Sequence, residues 1–367
     1  MLATTVFQQK RIKTLTRKRR WLMNFALIAC IFSTFGTFST ENAAAEVKKH
    51  ERVEKHMGCD FIITIFCASS DQAEHVLDLA FNRIRELDAS LSNYKTNSEL
   101  NRVCRGAPHE TPVPISDDLY RSLKMSKEMH QLSNGAFDPT IGPITKLWRR
   151  ARRLKKFPGD KRIGQTMASV GFDLIELYDN PLRVSLTKPK MQLDLGGIAK
   201  GFAVDEALSL IKSKGITIAC VNGGGDVAVG DSPPGKTGWT IGIAAVSDKL
   251  SDRKLILSNR AVATSGDLFQ FVEFDGVRYS HIVDPRTGYG LTNSAAVTVV
   301  APTCAMADGL ASAISVLGTV QGVALASKLR DVEAMCSELK DTRSGEIQTN
   351  TTEGFSRFEL SADVKRQ

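Results

Sequence analysis

The chain has 367 residues, 42% of them hydrophobic and 24% charged, enough apolar sequence for one large domain or two intimate ones. The formal net charge of +8 is weighted toward two basic clusters, Lys10 to Arg20 and Lys146 to Lys156. Neither cluster interleaves with the aromatic or recognition-helix patterns of a nucleic-acid binder, so that class is set aside.

From Trp21 to Phe38 the chain is mostly apolar, and Ser39-Thr-Glu-Asn-Ala-Ala-Ala-Glu46 follows. A basic stretch, an apolar stretch and small residues ahead of a polar segment describe an export signal, cleaved near Ala45. Two alternatives stay open. One is an uncleaved inner-membrane anchor, since the apolar stretch is close to the minimum spanning length. The other is lipidation at Cys30, because Leu27-Ile-Ala-Cys30 resembles a lipobox, although apolar Ile31 and Phe32 follow it. Residues 1–45 therefore read as export signal or anchor, 46–56 as a charged linker and 57–367 as the functional domain of an exported, periplasmic or cell-envelope protein.

Of the seven cysteines, six remain if the signal is removed. Cys59 and Cys67 end an extended run whose eight residue steps span roughly 26 Å, far beyond disulfide reach. No Cys-x-x-Cys occurs, so the cysteines read as buried free thiols.

Met57 opens the first core strand, Phe61 to Phe66. A helix follows from about Asp71 to Ser90, with Val76, Leu77, Ala80, Ile84 and Leu87 on one face. The polar stretch Ser90 to Leu100 carries a cap-like Ser98 and an aromatic, Tyr94, which is either a stacking platform or an ordinary loop residue. A second helix runs from about Ser116 to Leu132. Gly135-Ala-Phe-Asp-Pro-Thr-Ile-Gly-Pro143 then packs two glycines and two prolines around Phe137 and Asp138, giving a segment of fixed shape that suits a binding wall or a rigid connector. Residues 149–159 read as a basic, solvated insertion, and Asp173 to Leu186 as paired strands around Asn180-Pro181.

The stretch Met191-Gln-Leu-Asp-Leu-Gly-Gly-Ile-Ala-Lys-Gly201 predicts a short buried strand that breaks at Gly196-Gly197 into a helix. Glycines at a helix start let a ligand approach the backbone, and the free N–H groups there favour an anion. Asp194 and Lys200 add a carboxylate and a cation. Strands follow at Ile216 to Val221 and, past Asn222-Gly-Gly-Gly-Asp226, at Val227 to Val229, Trp239 to Ala245 and Leu255 to Leu257. Two polar loops come next: Thr264-Ser-Gly-Asp267 after strand Ala261–Ala263, and Tyr279 to Gly288 after a strand at Phe271 to Phe274. The second loop concentrates His281, Asp284 and Arg286, and histidine is the side chain most readily poised as a base near neutral pH. After strand Val297 to Val300, a helix beginning near Ala305 places Asp308 and Ser312 on one face, hard oxygen donors suited to Mg²⁺. A helix at Val320 to Leu329 and a hairpin through Ser344-Gly345 into Phe355–Leu360 close the chain.

Taken together, Ser92-Asn-Tyr94 with Ser98-Glu99, Gly135-Ala-Phe-Asp-Pro-Thr140, Asp194-Leu-Gly-Gly-Ile-Ala-Lys-Gly201, Asn222-Gly-Gly-Gly-Asp226, Ser265-Gly-Asp267, His281-Ile-Val-Asp-Pro-Arg-Thr-Gly288 and Ala307-Asp-Gly-Leu-Ala-Ser312 resemble the ApbE family, in the family's order, from about Met57 to the C-terminus. The resemblance implies an α+β fold, a single ApbE-like, T-fold-related catalytic domain with antiparallel sheets flanked by helices and FAD in a cleft between two halves. It implies Mg²⁺-dependent transfer of FMN from FAD to a Thr or Ser hydroxyl of a target flavoprotein, with AMP released. The acceptor would be a redox-pump subunit or another exported flavoprotein. By position it implies a flavin site of Met57, Tyr94, Ala136, Phe137, Asp138, Asp194, Lys200 and Ile282. The implied metal ligands are the Gly197 carbonyl and the Asp308 and Ser312 side chains, and His281 is the implied base.

Two departures stand out. Ser312 replaces the family's usual Thr with the same oxygen, and Gly290 replaces a common Pro, which is expected to loosen its loop. An FAD pyrophosphatase, or a non-catalytic FAD-binding envelope protein, would share these motifs.

Overall fold

The computed structural model describes residues 46–243, 253–266, 270–341 and 346–360. The expected export signal with Cys30, the loop residue Asp267 and the turn Ser344-Gly345 lie outside the described residues.

Strands β1 (Lys48–His56) and β2 (Cys59–Cys67) pair antiparallel along their whole length, Lys48 opposite Cys67 and His56 opposite Cys59. The expected linker at 46–56 is thus corrected to a strand. Its run of charges is that of a sheet edge, where charged side chains block pairing with a second chain, and its backbone is satisfied by β2. The six described cysteines are free, as expected.

Helix α1 (Ser70–Leu91), capped by Ser69, buries Val76, Leu77, Ala80, Ile84 and Leu87 as their spacing predicts. Helices α2 (Glu99–Arg105) and α3 (Asp117–Leu132) are capped by Ser98 and Ser116 and flank strand β3 (Val113–Pro114). Helices α4 (Gly142–Leu154) and α5 (Asp160–Met167) precede the hairpin of β4 (Ile175–Asp179) and β5 (Leu182–Leu186). Helix α6 (Ala199–Ser213) leads to β6 (Ala219–Gly223) and β7 (Asp226–Val229), joined by Gly224 and Gly225 at φ +66° and +103°, a turn only glycines make without strain. There follow β8 (Trp239–Gly242), β9 (Lys254–Leu257), β10 (Arg260–Gly266), β11 (Phe271–Phe274), β12 (Val277–Ser280) and β13 (Ser294–Ala301). Helix α7 (Cys304–Ala326), β14 (Glu333–Asp341) and β15 (Glu346–Thr351) complete the series.

The main sheet has eight strands in the order β1-β2-β6-β7-β10-β13-β14-β15, antiparallel throughout. Alternation along its strands sorts side chains to two faces. Ala228, Ala261, Ala263, Val297 and Val299 join the core shared with α1, α6 and α7, whereas Val227, Val229, Val262 and Val300 join Leu255, Leu257 and Phe355 on the opposite face. A third apolar cluster stands apart: Ile144, Leu147, Trp148 and Ala151 of α4 with Ile163 and Val283, stacked on Phe157, Phe274 and Tyr279. The architecture is the expected α+β one.

Four local expectations change. Of the expected insertion at 149–159, residues 149–154 are the end of α4, because its apolar residues keep helical spacing beneath the arginines, and only 155–159 are a connection. Residues 191–195 are extended and buried but join no sheet, since Asp194 N–H donates to the Pro139 carbonyl at 2.7 Å and Leu193 N–H to the Cys104 sulfur at 3.2 Å. The helix expected at 320–329 continues α7 past a break at Gly318 (φ +80°). Phe355–Phe358 forms a 3₁₀ turn rather than a strand. Helix α7 is long and apolar enough to cross a bilayer, but its Ala307, Leu310, Ala311 and Ile314 are buried in the core.

The N-termini of α6 and α7 meet without room for a side chain. A Cβ on Gly201 would lie 2.4 Å from the Cys304 carbonyl oxygen. Asp205 locks the junction by accepting the Cys304 and Ala305 N–H groups, each at 2.8 Å, although burial pushes its carboxyl up to about 6. Gly201→Ala is therefore expected to destabilise the fold by about 3 kcal/mol, since the clash is with backbone and no rotamer relieves it. A thermal unfolding midpoint equal to that of the parent chain would contradict this.

Candidate active site

A cleft of about 340 Å³ opens between the main core and the third cluster. Its wall includes Tyr94, Ala136, Phe137, Asp138, Asp194, Gly197, Lys200, His281, Ile282, Asp308 and Ser312. The structure thus brings every predicted site residue to one cavity except Met57. That residue sits at φ +49° in the turn between β1 and β2 and packs on the main core instead.

Each wall segment is fixed by its own sequence. Asp138 caps the turn at Pro139–Ile141: its Oδ1 accepts from Thr140 N–H at 2.8 Å and from Thr140 Oγ1 at 2.6 Å, and His130 Nδ1 lies 3.4 Å from Oδ2. Burial raises the Asp138 carboxyl, and the Thr140 bonds pull against that rise. Asp194 closes the next turn by accepting Gly196 N–H at 3.0 Å, while its other oxygen takes Thr145 Oγ1 at 2.9 Å and Arg149 Nη2 at 3.0 Å. At Gly197 the backbone comes so close to α7 that a Cβ would stand 2.8 Å from Ser312 Oγ and 3.1 Å from the Phe137 ring.

Lys200, in the first turn of α6, pairs with Asp226 at the start of β7. Asp226 is 4% exposed and Lys200 31%. Burial works against the Lys200 charge, but Asp308 and Asp226 outweigh it and hold the ammonium well above the usual lysine range. Asp308 is pushed up to about 7, first by burial and then by the Asp226 charge, with Lys200 pulling the other way. The contact made by its carboxylate is a long one, 3.3 Å from Gly201 N–H. Ser315, on the same helix, back-bonds to Ala311 O at 2.8 Å, whereas Ser312 Oγ makes no hydrogen bond among the described residues. Among those residues no group of three or more His, Cys, Asp and Glu side chains is arranged to hold a metal.

His281 is exposed on the rim. Its Nδ1 lies 3.2 Å from the Gln270 carbonyl, and a carbonyl only accepts, so that bond assigns the hydrogen to Nδ1 and makes Nε2 the basic nitrogen of the neutral ring. The loop beyond it is tight rather than loosened by Gly290. Ser280 N–H donates to Leu291 O at 2.7 Å, Leu291 N–H to Ile282 O at 2.9 Å and Gly288 N–H to Asp284 O at 2.8 Å. A Cβ on Gly290 would meet the Ser280 carbonyl oxygen at 2.5 Å, so here the missing ring permits the packing. Thr264 and Ser265, expected in a loop, end strand β10 and line the same cleft.

Sequence reading missed Thr145, Arg149 and Arg152, all on the wall. Extending the Ile144, Leu147, Trp148, Ala151 periodicity through the basic run would have placed them on a helix. It also missed that Asp226 is the partner of Lys200, a contact between residues 26 positions apart that spacing does not encode.

A family model described as the ApbE family matches residues 57–336. An FAD:protein FMN transferase of Haemophilus influenzae is 33% identical over 254 residues, covering 67% of this chain and 73% of the relative. The solved flavin transferase ApbE from Vibrio cholerae is similar at TM-score 0.76 and 27% identity, over 85% of this chain and 99% of that one. The Pseudomonas stutzeri flavinyl transferase ApbE in its apo form gives TM-score 0.76 at 26% identity, over 85% and 97%. With the family match spanning β2 to the start of β14 and the motif residues gathered around one cleft, the chain belongs to the ApbE family.

Proposed function

We infer that the protein is an FAD:protein FMN transferase that moves FMN from FAD to a Thr or Ser hydroxyl of a partner flavoprotein, releases AMP and requires Mg²⁺. The observation that carries this reading is the convergence of Gly197, Lys200, Asp308 and Ser312 on one cleft with His281 on its rim. The names of the relatives support the transfer, and the basic-then-apolar N-terminus supports placing the protein and its acceptor in the cell envelope.

The residues fit a hard dication. Asp308, Ser312 and the Gly197 carbonyl would make an oxygen-only donor set, and among the described residues the Ser312 hydroxyl is otherwise unused and the Asp308 carboxyl lacks a strong donor for its charge. Once bound, Mg²⁺ supplies charge neutralisation on the pyrophosphate. In the transfer, the acceptor oxygen forms a bond to the FMN-side phosphorus while the bond from that phosphorus to the AMP oxygen breaks. AMP leaves with the bridging oxygen. His281 takes the hydroxyl proton on Nε2, the nitrogen that the Gln270 contact leaves basic. Lys200, fixed by Asp226, presents a positive charge to the phosphates, and the Gly196-Gly197 turn lets them approach the start of α6. Such chemistry rests on positioning and charge more than on covalent participation by the enzyme.

The full chain incubated with FAD, Mg²⁺ and an acceptor domain should yield a flavin-fluorescent acceptor band on a denaturing gel, abolished by EDTA. FAD cleaved to FMN and AMP without a band would assign hydrolysis instead, and intact FAD would leave a binding protein. Asp308→Ala is expected to lower transfer about a thousandfold, the scale of a lost charge-stabilising group, while unfolding at the parent temperature, because Lys200 keeps its Asp226 partner. Transfer within tenfold of the parent would remove Asp308 from the site. His281→Ala should lower kcat about a hundredfold or more and leave the FAD dissociation constant unchanged. A weakened FAD affinity with normal kcat would make His281 a binding residue only.

A further inference from the structure

Helix α4 carries Lys146, Arg149, Arg150, Arg152 and Arg153, and of these only Arg149 forms an ion pair among the described residues. Its guanidinium carbon lies 4.5 Å from the centre of the Tyr94 ring, and its Nη2 is 3.0 Å from Asp194 Oδ2. Thr145 Oγ1, one turn earlier on the helix, donates to the same carboxylate oxygen at 2.9 Å. The three side chains Tyr94, Arg149 and Asp194 all line the cleft.

Tyr94 needs such a partner. Its ring is 73% exposed on the loop between α1 and α2. The backbone of that loop is well held: Ser92 Oγ accepts the Tyr94 and Lys95 N–H groups at 3.2 Å each, and Lys95 pairs with Asp88 at 2.7 Å. These contacts fix the chain but leave the ring to rotate about its own side-chain torsions. Among the described residues the ring's stacking partner is Arg149. The planar, permanently charged guanidinium suits both jobs, since its face can rest on an aromatic ring while one of its nitrogens reaches a carboxylate, a geometry that a compact lysine ammonium does not match.

We propose that Arg149 is a positioning residue for FAD, holding the Tyr94 ring over the cleft by bridging it to Asp194 so that a flat ring system of the dinucleotide meets a fixed aromatic surface. This rests on the FAD-dependent reading above. It assigns Arg149 an effect on ground-state binding exerted through Tyr94. The strap joins the α1–α2 loop to α4 and to the turn before α6, three segments that share no sheet.

The test is a double-mutant cycle read by flavin fluorescence titration of the full chain without Mg²⁺, with thermal unfolding as a folding control. R149A is expected to raise the FAD dissociation constant about fivefold, the scale of a solvent-exposed cation–π contact, and to raise KM for FAD while kcat at saturating FAD stays within about twofold. In a Y94A background the same change should cost less than about twofold, because residues acting through one another are not additive. R149M keeps the apolar stem and gives the same reading should R149A fold poorly. R153A on the same helix should leave binding unchanged. Additive losses in the cycle, or parent-like FAD binding by R149A, would overturn the proposal alone. A parent chain that binds no FAD would overturn the functional reading and this inference with it.

Discussion

The ammonium of Lys200 stands against the carboxylate of Asp226 and near that of Asp308, and the charge balance of this cluster governs what the cleft accepts. Two buried carboxylates and one cation leave a net negative charge where burial already opposes ionisation. Asp308 answers by holding its proton up to about pH 7. On the transferase reading, a dication held at Asp308 would draw off that proton and shift the balance toward positive charge facing the pyrophosphate. On that reading metal binding and substrate binding would reinforce one another, because both depend on how far the carboxylate charge is offset. Lys200 by itself leaves the cluster without a net positive charge, because the Asp226 carboxylate offsets it. The Lys200–Asp226 pair sets the position of a cation more than it adds stability, since desolvation offsets much of the attraction in a buried pair.

That cluster keeps its shape because three backbones pass unusually close. Gly201 lets α6 touch the first turn of α7, Gly197 lets the turn before α6 reach Ser312, and the glycine pair between β6 and β7 delivers Asp226 beneath Lys200. At Gly201 the clash would be with backbone and no rotamer relieves it, at Gly197 it would be with the Ser312 and Phe137 side chains, and at Gly224 and Gly225 it is the positive φ that favours glycine. Asp205 then accepts the first N–H groups of α7, which holds the helix carrying Lys200 against the helix carrying Asp308. Local sequence chooses the elements, and these contacts set the distances between functional groups.

Much of the fold was legible for physical reasons that act locally. The period of Val76 to Leu87 specified α1, cap-like Ser98 and Ser116 at the start of the second helix marked two helix starts, and the apolar runs at Phe61 to Phe66, Val227 to Val229 and Val297 to Val300 marked central strands. Where the reading erred, charge hid burial. Residues 48–56 looked solvated because an edge strand is charged by design, and residues 149–154 because an amphipathic helix shows its arginines to water and to the cleft. The extended stretch 191–195 misled differently: its apolar alternation was real, but its hydrogen bonds go to a turn and a sulfur rather than to a neighbouring strand. The members of the cleft were readable from motifs. Their pairings, Lys200 with Asp226 and Arg149 with Asp194, are tertiary and were not.

The exposure of His281 bears on how transfer and hydrolysis would be kept apart. In the proposed role of His281 as base, a rim position is reached as easily by water as by a protein hydroxyl, so the cleft by itself offers no discrimination between the two nucleophiles. On the transferase reading the acceptor must supply it, by covering the rim as its hydroxyl arrives and so excluding water from the phosphorus. The loop that carries His281 is rigid enough for this: Asp284, Tyr289 and Leu291 tie it across its base, and Asp284 also clamps Arg286. A fixed rim favours a docking partner that completes the site over a loop that folds down on it. Selectivity for a protein hydroxyl then follows from the fit of the acceptor against this rim, with no feature of the phosphate-binding residues needing to distinguish the two reactions.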